Sequence, residues 1–277
     1  MFNINFYIKR KEDVSRSDFL DFWHGEHADL LKGFVEDLGV RALIKNEILL
    51  DHPVGIDSAK AYGTGPIRYD AVDSWKFNDI EMLKHGSALE HVKAAMQRLA
   101  DAEDQYVDFA ASNVEMTVDL AQFYPADAME IRANPDSSVV KIFFVARCLE
   151  GLTRQQAQLH WNACHGGVSR QDVKYSVLST YLQCHSIPST FVEQLVDLRG
   201  YQYDPLLIGH AEGWIDTAQP PKDFPEDVMA EVVAMSMDDI DLFADKDKGN
   251  VFVCHEHYVI DKPIIVRPMP KFFGAIY

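Results

Sequence analysis

The chain has 277 residues, 47% of them hydrophobic, and sets 26 Lys and Arg against 43 Asp and Glu for a formal charge of −17. That length suffices for two ordinary domains, each burying its own core, and the acidity argues against a nucleic-acid backbone or an anionic membrane surface as partner, because both would be repelled at long range. No run approaches the ~18 apolar residues of a membrane span, and Cys148, Cys164, Cys184 and Cys254 show no C-x-x-C spacing, which predicts reduced thiols in a cytoplasmic protein.

Residues 3–9 alternate apolar and polar side chains, the period of a half-buried strand and not the pattern of a secretory leader. Ser15 is placed to cap a helix carrying Phe19, Phe22, Trp23 and His27, with Asp18 three residues on as a short capping-box partner. Gly39 marks the loosening of that helix, and a second strand is predicted over 40–50. Residues 51–68 have no periodicity of their own and read as a long lid or binding loop. A third strand includes Trp75, helical periodicity runs over 79–111, and a last strand covers 114–123.

The chain then repeats itself. Phe6, Ser15, Phe19, Trp23 and His27 recur as Phe144, Thr153, Ala157, Trp161 and His165, each 138 positions later. Residues 139–146 form a more continuously apolar strand, Thr153 and Gln156 make a capping box, and Trp161 and His165 share one helix face. Strand 177–185, a second long loop at 186–204, a strand with Trp214, helix 226–244 and strand 251–260 follow. Asp73 and Glu212 each stand two residues before the Trp of the third strand.

The pattern predicts two ferredoxin-like β-α-β-β-α-β repeats. The first spans 1–124, a linker 125–138 and the second 139–262. A C-terminal tail at 263–277, with Pro263, Pro268 and Pro270 before KFFGAIY, is expected to dock onto the body.

The segment YIKRKEDVSRSDFLDFWHGEHADLL is similar to the opening motif of the EthD-like proteins, in which a strand ending in basic residues, a Ser-capped helix, an aromatic-Trp pair and a His follow in that order. VVKIFFVARCLEGLTRQQAQLHWNACHGG keeps Arg147, Thr153, Trp161 and His165, and YLQCHSIPS resembles the family's second strand, which carries over His185; the first copy has Glu47 there. The resemblance implies a dimeric α+β barrel-type arrangement, two ferredoxin-like sheets packed face to face, here within one chain. It also implies a range of chemistries that includes cofactor-free oxygenases, cyclases, decarboxylases and haem enzymes, so fold alone does not name the reaction. A fused pair needs no second subunit to close its barrel, and homodimerisation stays open.

Histidine supplies the chemical signal, because its ordinary pKa lets it take and return a proton near neutrality. His165, His185, His255, His257 and His27 are the catalytic candidates, with the second-half set favoured. His210, Tyr181, Phe144, Tyr258 and Trp161 are the substrate-binding candidates, aromatic walls suited to a phenolic molecule. No phosphate loop or Ser nucleophile elbow is present, and no cofactor is expected. HGEH at 24–27 and HEH at 255–257 offer closely spaced ligands but match no standard metalloenzyme pattern, so no metal is assigned. The reading is a cofactor-independent, lyase-type enzyme doing decarboxylation, dehydration or small-fragment elimination on an aromatic small molecule. A cofactor-free monooxygenase or cyclase, and a non-catalytic binding protein, are the alternatives.

Overall fold

Strand β1 (Phe2–Ile8) shows how the fold sorts its side chains: Ile4, Phe6 and Ile8 face a layer of helices, while Asn3, Asn5 and Tyr7 face an enclosed interior, where the two asparagines bond to Thr117 and Asp119 and Tyr7 reaches His210. The other strands are β2 (Ala42–Ile48), β3 (Ala71–Phe77), β4 (Asn113–Phe123), β5 (Val139–Arg147), β6 (Leu178–Ser186), β7 (Leu207–Asp216) and β8 (Asn250–Asp261). They belong to a computed structural model that describes residues 1–123, 131–167, 178–219 and 226–264.

The eight strands form one closed antiparallel barrel in the order β1-β3-β2-β8-β5-β7-β6-β4. This corrects the expectation of two ferredoxin-like β-α-β-β-α-β repeats with sheets packed face to face. β2 pairs with β8 and β4 with β6, so neither half keeps a sheet of its own. Edge-to-edge closure leaves no strand with unpaired N–H and C=O groups, which two open sheets would leave on every outer strand.

The helices correct the element order as well. The first half carries α1 (Arg16–His24), α2 (Glu26–Lys32), α3 (Pro53–Ala61), α4 (Ile80–Ser87) and α5 (Glu90–Glu103). The second carries α6 (Arg154–His160), a π-helical turn (Trp161–His165), α7 (Thr190–Arg199) and α8 (Glu226–Ile240). The stretches read as long loops hold α3 and α7, one between the second and third strands of each half. His52 and Ser189 cap them, and Pro53 opens α3 where its missing N–H does no harm. The single helix expected to bear both Trp23 and His27 is broken at Gly25, where an added Cβ would lie 2.9 Å from the Asp21 carbonyl oxygen.

The larger core joins α1, α2, α5 and α7 to the outer face of the first four strands through Phe19, Trp23, Leu31, Trp75, Leu99 and Leu195. Each such side chain contributes about 1.5–3 kcal/mol when fully buried. The insertion helices cross between halves. α7 packs Phe191, Val192 and Leu195 into this first-half core, while α3 sets Val54, Ala59 and Tyr62 against the outer face of β5 and β8.

Two sequence expectations fall partly or wholly on residues that are not described. Residues 125–130 of the linker lie outside, and within 131–138 the Ala133 N–H donates to Glu256 Oε2 at 3.0 Å and the Arg132 guanidinium lies 4.1 Å from the centre of the Tyr258 ring. The Pro263 carbonyl accepts from Arg41, but the aromatic end expected to dock falls within 265–277, outside the described residues. Among the described residues no helix is long and apolar enough to cross a membrane.

Candidate functional site

The two Trp-x-x-x-His pairs have different surroundings. In the first half His27 is 1% exposed and both ring nitrogens are engaged, Nε2 with Glu103 Oε1 at 2.9 Å and Nδ1 with Lys45 Nζ at 2.8 Å. Glu103 also accepts from Arg199 and from the Tyr201 hydroxyl, and Asp73 accepts from Trp23 Nε1 at 3.0 Å and from Lys45. Burial and the neighbouring Lys45 lower the pKa of His27, and burial brings Lys45 down to about 8. Burial works against the charge on Glu103, but Arg199 and His27 prevail and hold its carboxyl at about 2. Neutral His27 thus donates to one side and accepts from the other, with no nitrogen left for a substrate.

In the second half the Trp161–His165 segment is a π-helical turn, a form that clusters at functional sites. Thr153 and Gln156 cap the preceding helix reciprocally, fixing where the turn begins. His165 Nδ1 lies 3.1 Å from Asp239 Oδ2, and His160 Nε2 lies 2.9 Å from the other oxygen. Burial raises the Asp239 pKa, but hydrogen bonds from His165 and His160 outweigh it and leave the carboxyl below its ordinary value. Because a carboxylate only accepts, His165 carries its proton on Nδ1, and Nε2 has no partner among the described residues.

His165 borders an aromatic cleft with Tyr62, Phe144, Trp161, Tyr181 and Phe243. The cleft holds about 680 Å³ of space outside protein atoms, its open mouth included. The Trp161 indole N–H donates to the Tyr181 hydroxyl at 3.2 Å, and the Phe243 ring centre is 5.5 Å from that of His165. A mostly apolar wall with one oriented imidazole is the usual build of a site for a small aromatic molecule.

Of the other candidates, Phe144, Tyr181 and Trp161 line this cleft and His185 does not. His185 stacks on Trp161 with ring centres 4.9 Å apart, bonds to Gln183 Oε1 at 3.1 Å and is pushed down to about 4 by burial. His255 and His257 stand on the outer face of β8, opposite Glu47 and Lys45 of β2. His210 and Tyr258 point into the barrel, Tyr258 beside the end covered by Arg132.

The barrel interior is charged. His210 Nδ1 lies 2.8 Å from Glu115 Oε1, which also accepts from Tyr7 at 2.5 Å, and Lys76 and Lys141 reach Glu212 at 3.1 and 2.9 Å. Burial opposes a charge on His210, but its bonds to Glu115 and Glu212 raise its pKa to about 8. Cys184, His210 and Glu212 bring ligand atoms within 4.8 Å of one another, yet the two ammonium groups already on Glu212 would repel a metal ion there.

Sequence reasoning missed Asp239, Phe243, Lys45, Glu103 and Arg199. The one local signal for the first two was the spacing of four between Asp239 and Phe243, which in the helix expected over 226–244 puts a carboxylate and a ring on one side, although α8 ends at Ile240.

No protein-family model matches the chain, and neither does any curated protein. Among solved structures it is similar to a candidate monooxygenase from Fusobacterium nucleatum subsp. nucleatum, at 7% identity over 97% of each chain with a TM-score of 0.47. It is also similar to an anthrone oxidase-like protein, at 10% identity over 96% of each chain with a TM-score of 0.49. Both likenesses are too distant to bear on chemistry, and neither shows the EthD-like family.

Proposed function

We propose that the second-half cleft is the active site of an enzyme that abstracts a proton from an aromatic, phenol-bearing small molecule, with His165 as general base. The observation that carries this reading is the pairing of His165 Nδ1 with Asp239 at the edge of an aromatic cleft, which leaves Nε2 for substrate. Asp239 fixes the tautomer and stabilises the imidazolium that forms, while Phe144, Tyr181 and Phe243 hold the ring. The negative charge passes into the substrate's own aromatic system, so the step needs no electron sink from a cofactor.

The same imidazolium then returns its proton as the product forms, which suits decarboxylation, dehydration or elimination of a small fragment. His185 acts through Trp161, whose indole it supports from behind. An oxygenase or cyclase acting without a cofactor would share the first step and differ only in what meets the carbanion.

The test is hydrogen–deuterium exchange in D2O at carbon-bound positions activated by the phenol, across a panel of phenolic substrates, because the O–H itself exchanges without a catalyst. Exchange catalysed by the native protein and lost in His165→Ala supports the base assignment. Saturable binding with no exchange and no turnover would make the cleft a carrier site instead. Oxygen uptake on the same panel separates oxygenation from lyase chemistry.

A further inference from the structure

We propose that His24, Glu47 and His257 form a binding site for a divalent transition-metal ion such as Zn²⁺, separate from the aromatic cleft. The two His motifs do not each build a site. His27 of HGEH is buried in the first-half core, and His24, the last residue of α1, turns instead toward β2 and β8. One histidine from each motif meets Oε2 of the same carboxylate, while the Arg16 guanidinium stands farther off, 3.9 Å from the other oxygen.

Glu47 Oε2 lies 3.2 Å from His24 Nε2 and 3.3 Å from His257 Nε2, and the ligand atoms of the three residues all fall within 4.8 Å of one another. Ligands bound at about 2.0–2.2 Å around a tetrahedral or octahedral ion stand roughly 3–3.5 Å apart, which is already the spacing of both histidines from Glu47, while the two imidazole nitrogens lie within 4.8 Å of each other. The imidazole rings are 4.4 Å apart at their centres and inclined by 60°. They are presented by a helix end and a strand rather than by one flexible loop.

A second observation points to a ligand. His257 Nε2 is buried yet makes no well-directed hydrogen bond, although it faces the carboxylate. A simple hydrogen-bonded cluster would aim that N–H at the oxygen; a lone pair turned toward a shared cation needs no such alignment. Two imidazoles and one carboxylate are a recurrent donor set for Zn²⁺ and Fe²⁺ that leaves coordination positions open. The side chains are 32%, 24% and 30% exposed, which gives an ion and an exogenous ligand access from solvent.

The inference goes beyond proton abstraction in the cleft, and its test does not depend on turnover. Titrating the metal-stripped, tag-free full chain with Zn²⁺ should reveal one saturable site that raises the melting temperature. His24→Ala, His257→Ala and Glu47→Gln should each weaken it by at least about 10-fold, with Glu47→Gln serving as the near-isosteric variant if an alanine variant fails to fold. Co²⁺ loaded into the native protein should show visible bands without a thiolate charge-transfer band. The proposal is overturned by absence of saturable binding, by undiminished affinity in the folded Glu47→Gln variant, or by a thiolate band that moves the ion to a cysteine.

Discussion

His27 and His165 occupy equivalent places in the chain, and the difference between them is one of what packs on top. Over the first half, α5 and α7 bring Glu103 and Arg199 down onto His27 and fill the remaining space with Leu99, Phe191 and Leu195. Over the second half, α8 brings Asp239 to one nitrogen of His165 and leaves an aromatic cleft beside it. The same Trp-x-x-x-His pair therefore serves as a core bracket in one place and as a candidate base in the other. A motif at a repeated position carries chemistry only when the covering layer leaves one of its atoms free.

The two histidines should differ most in kinetics. His165→Ala should lower kcat by about 10² to 10⁴, the usual worth of a positioned acid or base, whereas His27→Asn, once folded, should retain kcat. Steady-state rates on an active phenol decide it; equal losses would return the chemistry to the first half. Asp239→Asn should lower kcat by less than His165→Ala when both are measured on the same phenol.

Stability should show the reverse order. Glu103→Ala removes the acceptor shared by His27, Arg199 and Tyr201, and breaking a buried ion pair by removing one partner costs about 3–5 kcal/mol. Asp239, partly open to solvent, should cost much less when replaced. Urea unfolding of both variants measures the difference, and a Glu103→Ala loss no larger than that of Asp239→Asn would deny the first-half network its structural role.

Two buried histidines, His185 on the outer face and His210 in the barrel interior, should respond oppositely to pH. His185 has its folded pKa lowered from 6.5 to about 4, so the unfolded chain binds more protons between those values. Its contribution is present above pH 6.5 and declines as pH falls toward 4, by up to about 3 kcal/mol. His210 has its pKa raised from 6.5 to about 8, so its contribution is complete below pH 6.5 and is lost as pH rises through 8, about 2 kcal/mol in all. Unfolding free energies across pH 4–9 should lose the acid-side slope in His185→Gln and the alkaline-side slope in His210→Gln.

The strands were readable because alternation is local: Asn3, Asn5 and Tyr7 against Ile4, Phe6 and Ile8 already separate two faces. Barrel closure was not, because the pairings of β2 with β8 and of β4 with β6 join segments far apart in the chain and leave no local mark. Helices α3 and α7 were hidden by Pro53, Gly55 and a short apolar spacing that resembles irregular loop. The histidines at 27 and 165 were visible as a repeat. Their partners Glu103 and Asp239 lie 76 and 74 residues away and were fixed only by packing.

The crossing of the insertion helices bears on how the molecule comes apart. Tyr62, carried just past α3, walls the second-half cleft, and Arg199 at the end of α7 neutralises a carboxylate in the first-half core. Each half has lent the other a piece it cannot replace. Severing the chain between them would leave one fragment with an open cleft wall and the other with an unpaired buried charge, so the halves are mutually latched and should melt in a single calorimetric transition.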